Sequence, residues 1–120
     1  MDNKRLYAVR GATCSKDSPF EIEKSIKTLF DKLYSENSIL DENLVSIQFT
    51  ITNDIKSLNP ATALRKAGYG SDVPLFCSQE PEITGMLKNC IRVLITGYFE
   101  EKPKPVYING AEVLRPDLAK

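Results

Sequence analysis

The stretch VPLFCSQEPEITGMLKNCIRVLI, residues 73–95, contains two apolar runs separated by a polar loop. The first run, residues 73–77, predicts a short strand, and Pro74 favours an edge position because proline cannot donate a ladder hydrogen bond. The second run extends over residues 90–99, alternates between two faces and predicts a longer strand. We therefore interpret the rest of the chain as the scaffold around these two strands.

The loop between the two runs carries the candidate chemistry. Pro81 and Gly85 break the backbone there, although residues 82–89 are expected to form a turn or two of helix. Glu80 follows the first run, and Arg92 lies near the start of the second. A carboxylate at one strand end and an arginine at the next strand's start can face one crevice, and loops held by a rigid sheet are common binding positions.

Three further segments predict strands. Residues 5–12 predict a first strand that ends at the Gly11 turn, with Arg10 at its C-terminal end. Residues 44–52 alternate strictly, which is typical of a strand buried on one face. The residues of its apolar face are Val45, Ile47, Phe49 and Ile51. Asn109-Gly110 lies between the short apolar runs 106–108 and 111–113 and predicts a hairpin.

Two segments predict helices. Ser18 and Pro19 begin an S-x-x-E capping box, in which serine is a good N-cap and proline suits the first helical position. Apolar residues then recur at three- and four-residue steps, so a long amphipathic helix is expected to about residue 36. A shorter helix is expected over residues 61–67, ended by Gly68.

This order of elements predicts an α+β fold: a mixed β-sheet of about five strands with one long and one short helix. We expect a single domain over residues 1–120, because this length is ordinary for one domain. One long helix covers only one face of such a sheet. The other face mixes hydroxyl, amide and aliphatic side chains, which suggests oligomerisation through the sheets.

The composition is that of a soluble globular protein and argues against several functional classes. The formal net charge is zero, so neither nucleic acid nor a membrane is an expected partner. The chain contains no histidine, which excludes Ser-His-Asp and Cys-His catalysis and most transition-metal sites. The three cysteines form no C-x-x-C pair, so neither a disulfide framework nor a zinc site is expected. With no evident secretory signal or membrane span, we expect a cytoplasmic protein.

Charged side chains at the ends of elements suggest a ligand. Arg10, Arg92 and Arg115 lie at such positions, and arginine offers a planar fork that matches carboxylates. If these residues converge, they predict a small anionic ligand, with Glu80 as an acceptor for a ligand hydroxyl and Tyr107 as a donor. The spacing alone leaves open the alternative that they are solvated strand-end charges.

Several segments together resemble the AroH-class chorismate mutases. They are RGAT (10–13), DIKSLNPATALR (54–65), VPLFCSQE (73–80), CIRVLI (90–95) and VLRPDL (113–118). The resemblance is collinear and implies a trimeric pseudo-barrel of sheets, with helices outside and active sites between adjacent subunits. It also implies the Claisen rearrangement of chorismate to prephenate, in phenylalanine and tyrosine biosynthesis. Such an isomerase needs no cofactor, metal or covalent intermediate.

The same resemblance assigns roles to individual residues. Arg92 corresponds to the arginine beside the ether oxygen of the breaking bond, and the implied catalytic residues are Arg92, Glu80 and Arg10. Arg10 and Tyr107 match groups that hold substrate carboxylate, and Glu80 matches the acceptor for the ring hydroxyl. The implied substrate-binding residues are Arg10, Ala61, Arg65, Leu75, Phe76, Cys77, Glu80, Arg92, Tyr107, Leu114 and Arg115.

Part of this set is implied to come from other parts of the assembly. Ala61 and Arg65 lie in the segment that would line the cleft from the neighbouring subunit. Cys77 lies in the position that contacts the same region as Glu80. Leu114 and Arg115 match a mobile tail that closes over the cleft.

Three cleft positions depart from the family pattern. Asn59 stands where an aromatic residue is usual, Thr62 where a lysine is usual, and Phe76 where a small hydroxylated residue is usual. The first two lie on the rim, so we expect weaker substrate binding or altered entry before lost chemistry. Two alternatives stay open: a non-catalytic trimeric binder of small dicarboxylates, and a trimeric imine deaminase of similar architecture, whose motifs are not evident.

Overall fold

A computed structural model describes residues 3–118 of the chain. Within that range the strands are β1 (Arg5–Cys14), β2 (Leu44–Ile51), β3 (Leu75–Gln79), β4 (Cys90–Phe99) and β5 (Val106–Ile108), and the helices are α1 (Pro19–Asn37) and α2 (Pro60–Lys66). Two 3₁₀ helices, Asp41–Asn43 and Ala111–Leu114, accompany them. The strand order is β3-β2-β4-β1-β5. Because β4 pairs antiparallel with β1 and β2, whereas β3 and β5 join the edges in parallel, the expected mixed α+β sheet is confirmed.

Helix α1 forms the main cover of one sheet face. Ser18 Oγ accepts a 3.2 Å hydrogen bond from the Glu21 N–H, which satisfies one of the free N–H groups at the helix start. The apolar stripe of α1 is fully buried and consists of Ile22, Ile26, Leu29, Phe30 and Leu33. Phe30 packs on Phe49 of β2 with ring centroids 5.8 Å apart. The periodicity of the sequence therefore placed this helix on the core face.

Helix α2 joins the same layer and leads into the edge strand. The Asn59 side chain accepts a 2.8 Å hydrogen bond from the Ala61 N–H and caps the helix. Leu64 is fully buried in the core. Gly68, with φ +89°, turns the chain away after the helix, because only glycine adopts this backbone region without cost. The edge position expected for β3 is confirmed.

Gly11 does not end β1, which corrects the predicted turn. The strand continues to Cys14, so Arg10 lies within the strand. A Cβ atom at Gly11 would lie 3.0 Å from Val93 Cγ1 and 3.3 Å from the Val106 carbonyl oxygen. Glycine is therefore needed because β4 and β5 approach this position closely, and not because the chain turns.

The predicted hairpin at Asn109-Gly110 is wrong. Both residues have the positive φ angles that a hairpin turn requires, 56° and 96°. The following residues form the 3₁₀ helix Ala111–Leu114, and β5 pairs with β1 in parallel. The physical reason is burial: Ala111 is fully buried with Ala12 and Tyr107 in a small second apolar cluster, which a returning strand would not form.

Two smaller expectations are also wrong. Residues 82–89 form turns and no helix, because Gly85 has a φ of +84° and Asn89 one of +51°. Val45 is 45% exposed instead of buried. A β-bulge between Leu44 and Ser46 shifts the register there and turns Val45 out of the alternation.

Within residues 3–118, the second apolar cluster around Ala12, Cys90 and Ala111 covers one end of the sheet face opposite the helices, and the rest of that face is exposed. We call it the open sheet face, and its exposed apolar residues are Leu6, Phe76, Leu94 and Tyr98. Leu6 lies directly opposite Tyr98, and Leu94 lies between Arg10 and Gln48. Within residues 3–118, no helix is both long enough and apolar enough to cross a membrane.

Candidate active site

A cleft of about 330 Å³ lies on the open sheet face beside the C-terminal 3₁₀ helix. Its lining includes Arg10, Gln48, Thr50, Arg92, Tyr107, Leu114 and Arg115. Strand register brings these residues together, because Arg92 on β4 lies opposite Ala12 on β1, which in turn lies opposite Tyr107 on β5. The sheet therefore joins residues that are far apart in the sequence at one surface.

Glu80 is not among the residues that line the cleft, but it contacts Arg92, which is. Glu80 Oε1 lies 3.2 Å from Arg92 Nε, and the same oxygen accepts a 2.6 Å hydrogen bond from the Thr50 hydroxyl. The Glu80 N–H donates a 2.8 Å hydrogen bond to the Ile51 carbonyl, which holds the residue after β3 against β2. The Glu80 side chain is 17% exposed and that of Arg92 is 51% exposed. The carboxylate is thus fixed, and the guanidinium keeps a surface for a ligand.

Tyr107 supplies a neutral hydrogen-bond donor. The residue is buried, and this burial raises the pKa of its phenol. The nearby positive charges of Arg10, Arg115 and Arg92 oppose the rise without cancelling it. The phenol therefore stays protonated at neutral pH, and Arg10, Arg92 and Arg115 line the same cleft.

Leu114 and Arg115 form the outer edge of the cleft. Arg115 makes a two-pronged contact with Asp117, with Nε 3.1 Å from Oδ1 and Nη2 2.8 Å from Oδ2. This hydrogen bonding lowers the pKa of the Asp117 carboxyl and raises the pKa of Arg115. Both side chains are exposed, so the Arg115–Asp117 ion pair contributes little to stability, and Arg115 can leave Asp117 for another anion at little cost.

The remaining predicted residues do not line this cleft within one chain. Ala61 lies within α2 and is buried, whereas Arg65 on the same helix is exposed. Leu75 and Cys77 on β3 pack against the main core, and burial raises the pKa of the Cys77 thiol. Phe76 points to the other side and is 68% exposed. The site residues thus divide into a group at the cleft and a group around α2 and β3.

Gln48 and Thr50 line the cleft but were not predicted as site residues. Both lie on the polar face of β2, and Thr50 is the cross-strand neighbour of Arg92. The strict alternation of β2 was a signal that this face is distinct. It did not indicate which strand would lie beside it, because register is set by tertiary pairing.

The polar groups of the cleft suit an organic anion. Guanidinium groups form paired hydrogen bonds with carboxylates, and a tyrosine hydroxyl can add a third donor. Glu80 offers acceptor oxygens to a ligand hydroxyl. Among residues 3–118, no group of three or more His, Cys, Asp or Glu side chains is placed to hold a metal ion.

Comparison with known proteins assigns the chain to a family. The family model for chorismate mutase type I matches residues 6–118. The chain belongs to the type I chorismate mutase family. This type I chorismate mutase is 36% identical over 118 residues to chorismate mutase AroH of Bacillus subtilis (strain 168), a match that covers 95% of this chain and 93% of the relative. It is also 36% identical over 118 residues to chorismate mutase AroH of Thermus thermophilus, with 94% of this chain and 96% of the relative covered.

A solved structure supports the same assignment. The fold of this type I chorismate mutase is similar to that of the chorismate mutase from Clostridium thermocellum, with a TM-score of 0.80 and 32% sequence identity. The superposition covers 89% of this chain and 98% of the other. The prediction of an AroH-class chorismate mutase, an isomerase, is therefore confirmed.

Proposed function

We propose that this chorismate mutase converts chorismate to prephenate in the cleft that contains Arg10, Arg92 and Tyr107. The observation that carries the proposal is the contact of Arg92, which lines the arginine-rich cleft, with the fixed Glu80 carboxylate, 3.2 Å from Nε. We assign to Arg92, Glu80 and Arg10 the catalytic contacts with the substrate. No cofactor takes part in the proposed reaction.

Binding of the substrate follows from the charges. Chorismate carries two carboxylates and a ring hydroxyl. Arg10, Tyr107 and Arg115 supply donors for carboxylate oxygens, and Glu80 accepts from the hydroxyl. Leu114 adds an apolar contact at the edge, so the polar and apolar parts of the substrate each have a partner.

The rearrangement itself is intramolecular. One carbon–oxygen bond breaks while one carbon–carbon bond forms, and no proton is transferred. Negative charge builds on the ether oxygen as its bond lengthens, so a guanidinium placed there stabilises the transition state more than the substrate. Arg92 is the proposed group. The rest of the rate acceleration comes from holding the enolpyruvyl chain over the ring, which restricts the substrate to a reactive geometry.

We also propose a homotrimer in which each cleft is completed by a neighbouring subunit. The exposed apolar residues of the open sheet face support this, because a soluble chain gains by burying them. The second wall would come from the group around α2 and β3 of the neighbour: Ala61, Arg65, Leu75, Phe76 and Cys77. The expected single domain over residues 1–120 and the cytoplasmic location are part of the same proposal.

The three departures from the family pattern fall on this second wall. Asn59 caps α2 through its side-chain oxygen and thereby fixes the start of this helix. Phe76 is 68% exposed in the single chain and is positioned to narrow a cleft formed with a neighbour. We expect these positions to change substrate affinity more than turnover.

The test compares two arginine variants of the full-length protein. Loss of chorismate absorbance, with prephenate identified as the product, measures turnover. For Arg92→Ala we expect kcat to fall about a hundredfold to a thousandfold, because removing one charge-stabilising donor in a closed site costs roughly 2.7–4 kcal/mol. Arg5→Ala, on β1 outside the cleft, should retain near wild-type turnover.

Circular dichroism and the oligomeric state should be unchanged in both variants. Turnover of Arg92→Ala within about tenfold of wild type would contradict the electrostatic assignment. Tight binding of a prephenate-like dianion without any turnover by the wild-type protein would instead support the binder alternative.

A further inference from the structure

Cys14 and Cys90 lie directly opposite each other on the antiparallel strands β1 and β4. The backbone N–H and C=O groups of Cys90 bond to Thr52 on the other side, at 2.9 Å to the hydroxyl and 3.1 Å to the N–H. The next pair along the strands is joined by the 2.9 Å bond from Ser15 N–H to Asn89 O. Cys14 and Cys90 are therefore a non-hydrogen-bonded pair, the type in which Cα atoms lie about 4.5 Å apart. A disulfide spans about 4.4–6.8 Å between Cα atoms, so the backbone already has suitable geometry.

The two thiols face each other on the same side of the sheet. The neighbouring Cys90 side chain lowers the pKa of the Cys14 thiol, against the larger rise that burial causes. Cys90 is only 2% exposed and belongs to the second apolar cluster with Ala12 and Tyr107, against which Cys14 packs. Cys14 itself is half-buried. The Cys14 thiol is thus accessible for the first attack, and the buried Cys90 thiol lies next to it for the second attack of a two-step exchange reaction.

Cys14 borders a basic cleft. A cavity of about 600 Å³ is lined by Cys14 together with Lys16, Lys24 and Lys88 and by the carboxylate Glu21, while Glu112 places a further negative charge near Cys14. Ser15, Asn89 and Asn109 add neutral polar groups to this lining. The excess of positive charge attracts anionic molecules to the Cys14 sulfur.

We propose that Cys14 and Cys90 form an oxidation site, at which an anionic low-molecular-weight disulfide converts the two thiols into a cross-strand disulfide bond. The Cys14 thiolate attacks one sulfur of the disulfide, forms a mixed disulfide and releases one thiolate. The Cys90 thiolate then attacks the Cys14 sulfur and releases the second. Both thiol protons end on the two released thiolates, so two cysteines are oxidised and one disulfide is reduced to two thiols.

The site is distinct from the proposed chemistry but lies close to it. Cys90 is two residues before Arg92 on β4, and Cys14 is two residues after Ala12, which faces Tyr107. The new bond would connect the two strands inside the cluster that carries Tyr107. Burial raises the pKa of both thiols, to about 12 for Cys90, so exchange is slow at neutral pH and faster in mild alkali.

The experiment treats the reduced full-length protein with oxidised glutathione at pH 8.5 and analyses alkylated peptides by mass spectrometry. We expect a Cys14–Cys90 linked peptide pair that lacks two hydrogen atoms. Cys77 on β3 provides the control: Cys77→Ser should form the linked pair at an unchanged rate, whereas Cys14→Ser should form none. Since Cys14 is half-buried, its serine variant is expected to fold, and circular dichroism checks this.

The choice of oxidant tests the basic cleft. Each rate is first divided by the rate at which the same disulfide oxidises a small free thiol, which corrects for its intrinsic reactivity. At low salt, the corrected rate for oxidised glutathione should be at least about threefold higher than that for the cationic disulfide cystamine. The advantage should shrink at high salt and in Lys88→Gln. A stable glutathione adduct on Cys14, or no reaction there, would overturn the oxidation site. Equal corrected rates for the two disulfides would contradict the proposal that the site prefers an anionic oxidant.

Discussion

The Thr50 hydroxyl donates a 2.6 Å hydrogen bond to Glu80 Oε1. Thr50 also lies directly across the sheet from Arg92, whose Nε is 3.2 Å from the same carboxylate oxygen. One oxygen therefore connects the edge strand β3 to the guanidinium on β4. In the proposed mechanism, Thr50 is a positioning residue that acts through Glu80.

Replacing Thr50 with valine removes the hydroxyl while keeping the shape of the side chain. A hydrogen bond to a charged group contributes about 1.5–3 kcal/mol, so we expect Thr50→Val to lower kcat/KM roughly tenfold to a hundredfold. Steady-state kinetics with chorismate measures this. Thr50→Ser keeps the donor and should stay within about threefold of wild type. Equal losses in the two variants would indicate a packing role instead.

Arg115 should contribute to substrate affinity rather than to the chemical step. It lies at the exposed edge of the cleft and is held by Asp117 with a 2.8 Å contact. We expect Arg115→Ala to raise KM by about tenfold and to leave kcat within about threefold, because an edge contact acts equally on substrate and transition state. Asp117→Asn keeps the guanidinium and should change KM less. A large loss of kcat in Arg115→Ala would place the residue at the reacting bond.

Leu6 tests the proposed trimer. It is 57% exposed on the open sheet face, opposite Tyr98. A glutamate there would carry an unpaired charge into the proposed interface, so Leu6→Glu should shift the protein toward monomer and abolish most activity. Light scattering after gel filtration measures the mass. Phe20→Glu changes a residue that is 70% exposed at the start of α1 and should remain trimeric. A fully active trimer of Leu6→Glu would show that the interface lies elsewhere.

The buried thiol Cys90 predicts a loss of stability in alkali. Burial raises its pKa in the folded state to about 12 from an ordinary value of 9.0. Between these values the unfolded chain has already released the proton that the folded chain keeps, so the free energy of unfolding falls as pH rises. The contribution is complete below about pH 9 and lost toward pH 12. Urea midpoints from pH 8 to 11 should decline, and the decline should be shallower in Cys90→Ala. Parallel slopes would contradict the assignment to this thiol.

Local sequence patterns were sufficient to predict elements whose signals depend only on neighbouring residues. The capping signal at Ser18 and the apolar stripe ending near Leu33 predicted α1 because helix periodicity and caps are local properties. Gly11 and Asn109-Gly110 both misled: Gly11 lies within β1 without a turn, whereas Asn109 and Gly110 have positive φ angles but lead into a 3₁₀ helix. Close packing against β4 explains the first, and burial of Ala111 explains the second.

Periodicity, composition and collinear motifs were enough to predict the α+β class, the family and the residue types available for binding. The shared contact of Thr50, Glu80 and Arg92, and the packing of Cys77 against the core, follow instead from the folded arrangement of the strands. It also placed Cys14 opposite Cys90, a pair that the cysteine spacing argued against. The physical reason is strand register: a shift of one residue moves every side chain to the other face, and register is fixed by packing between distant segments.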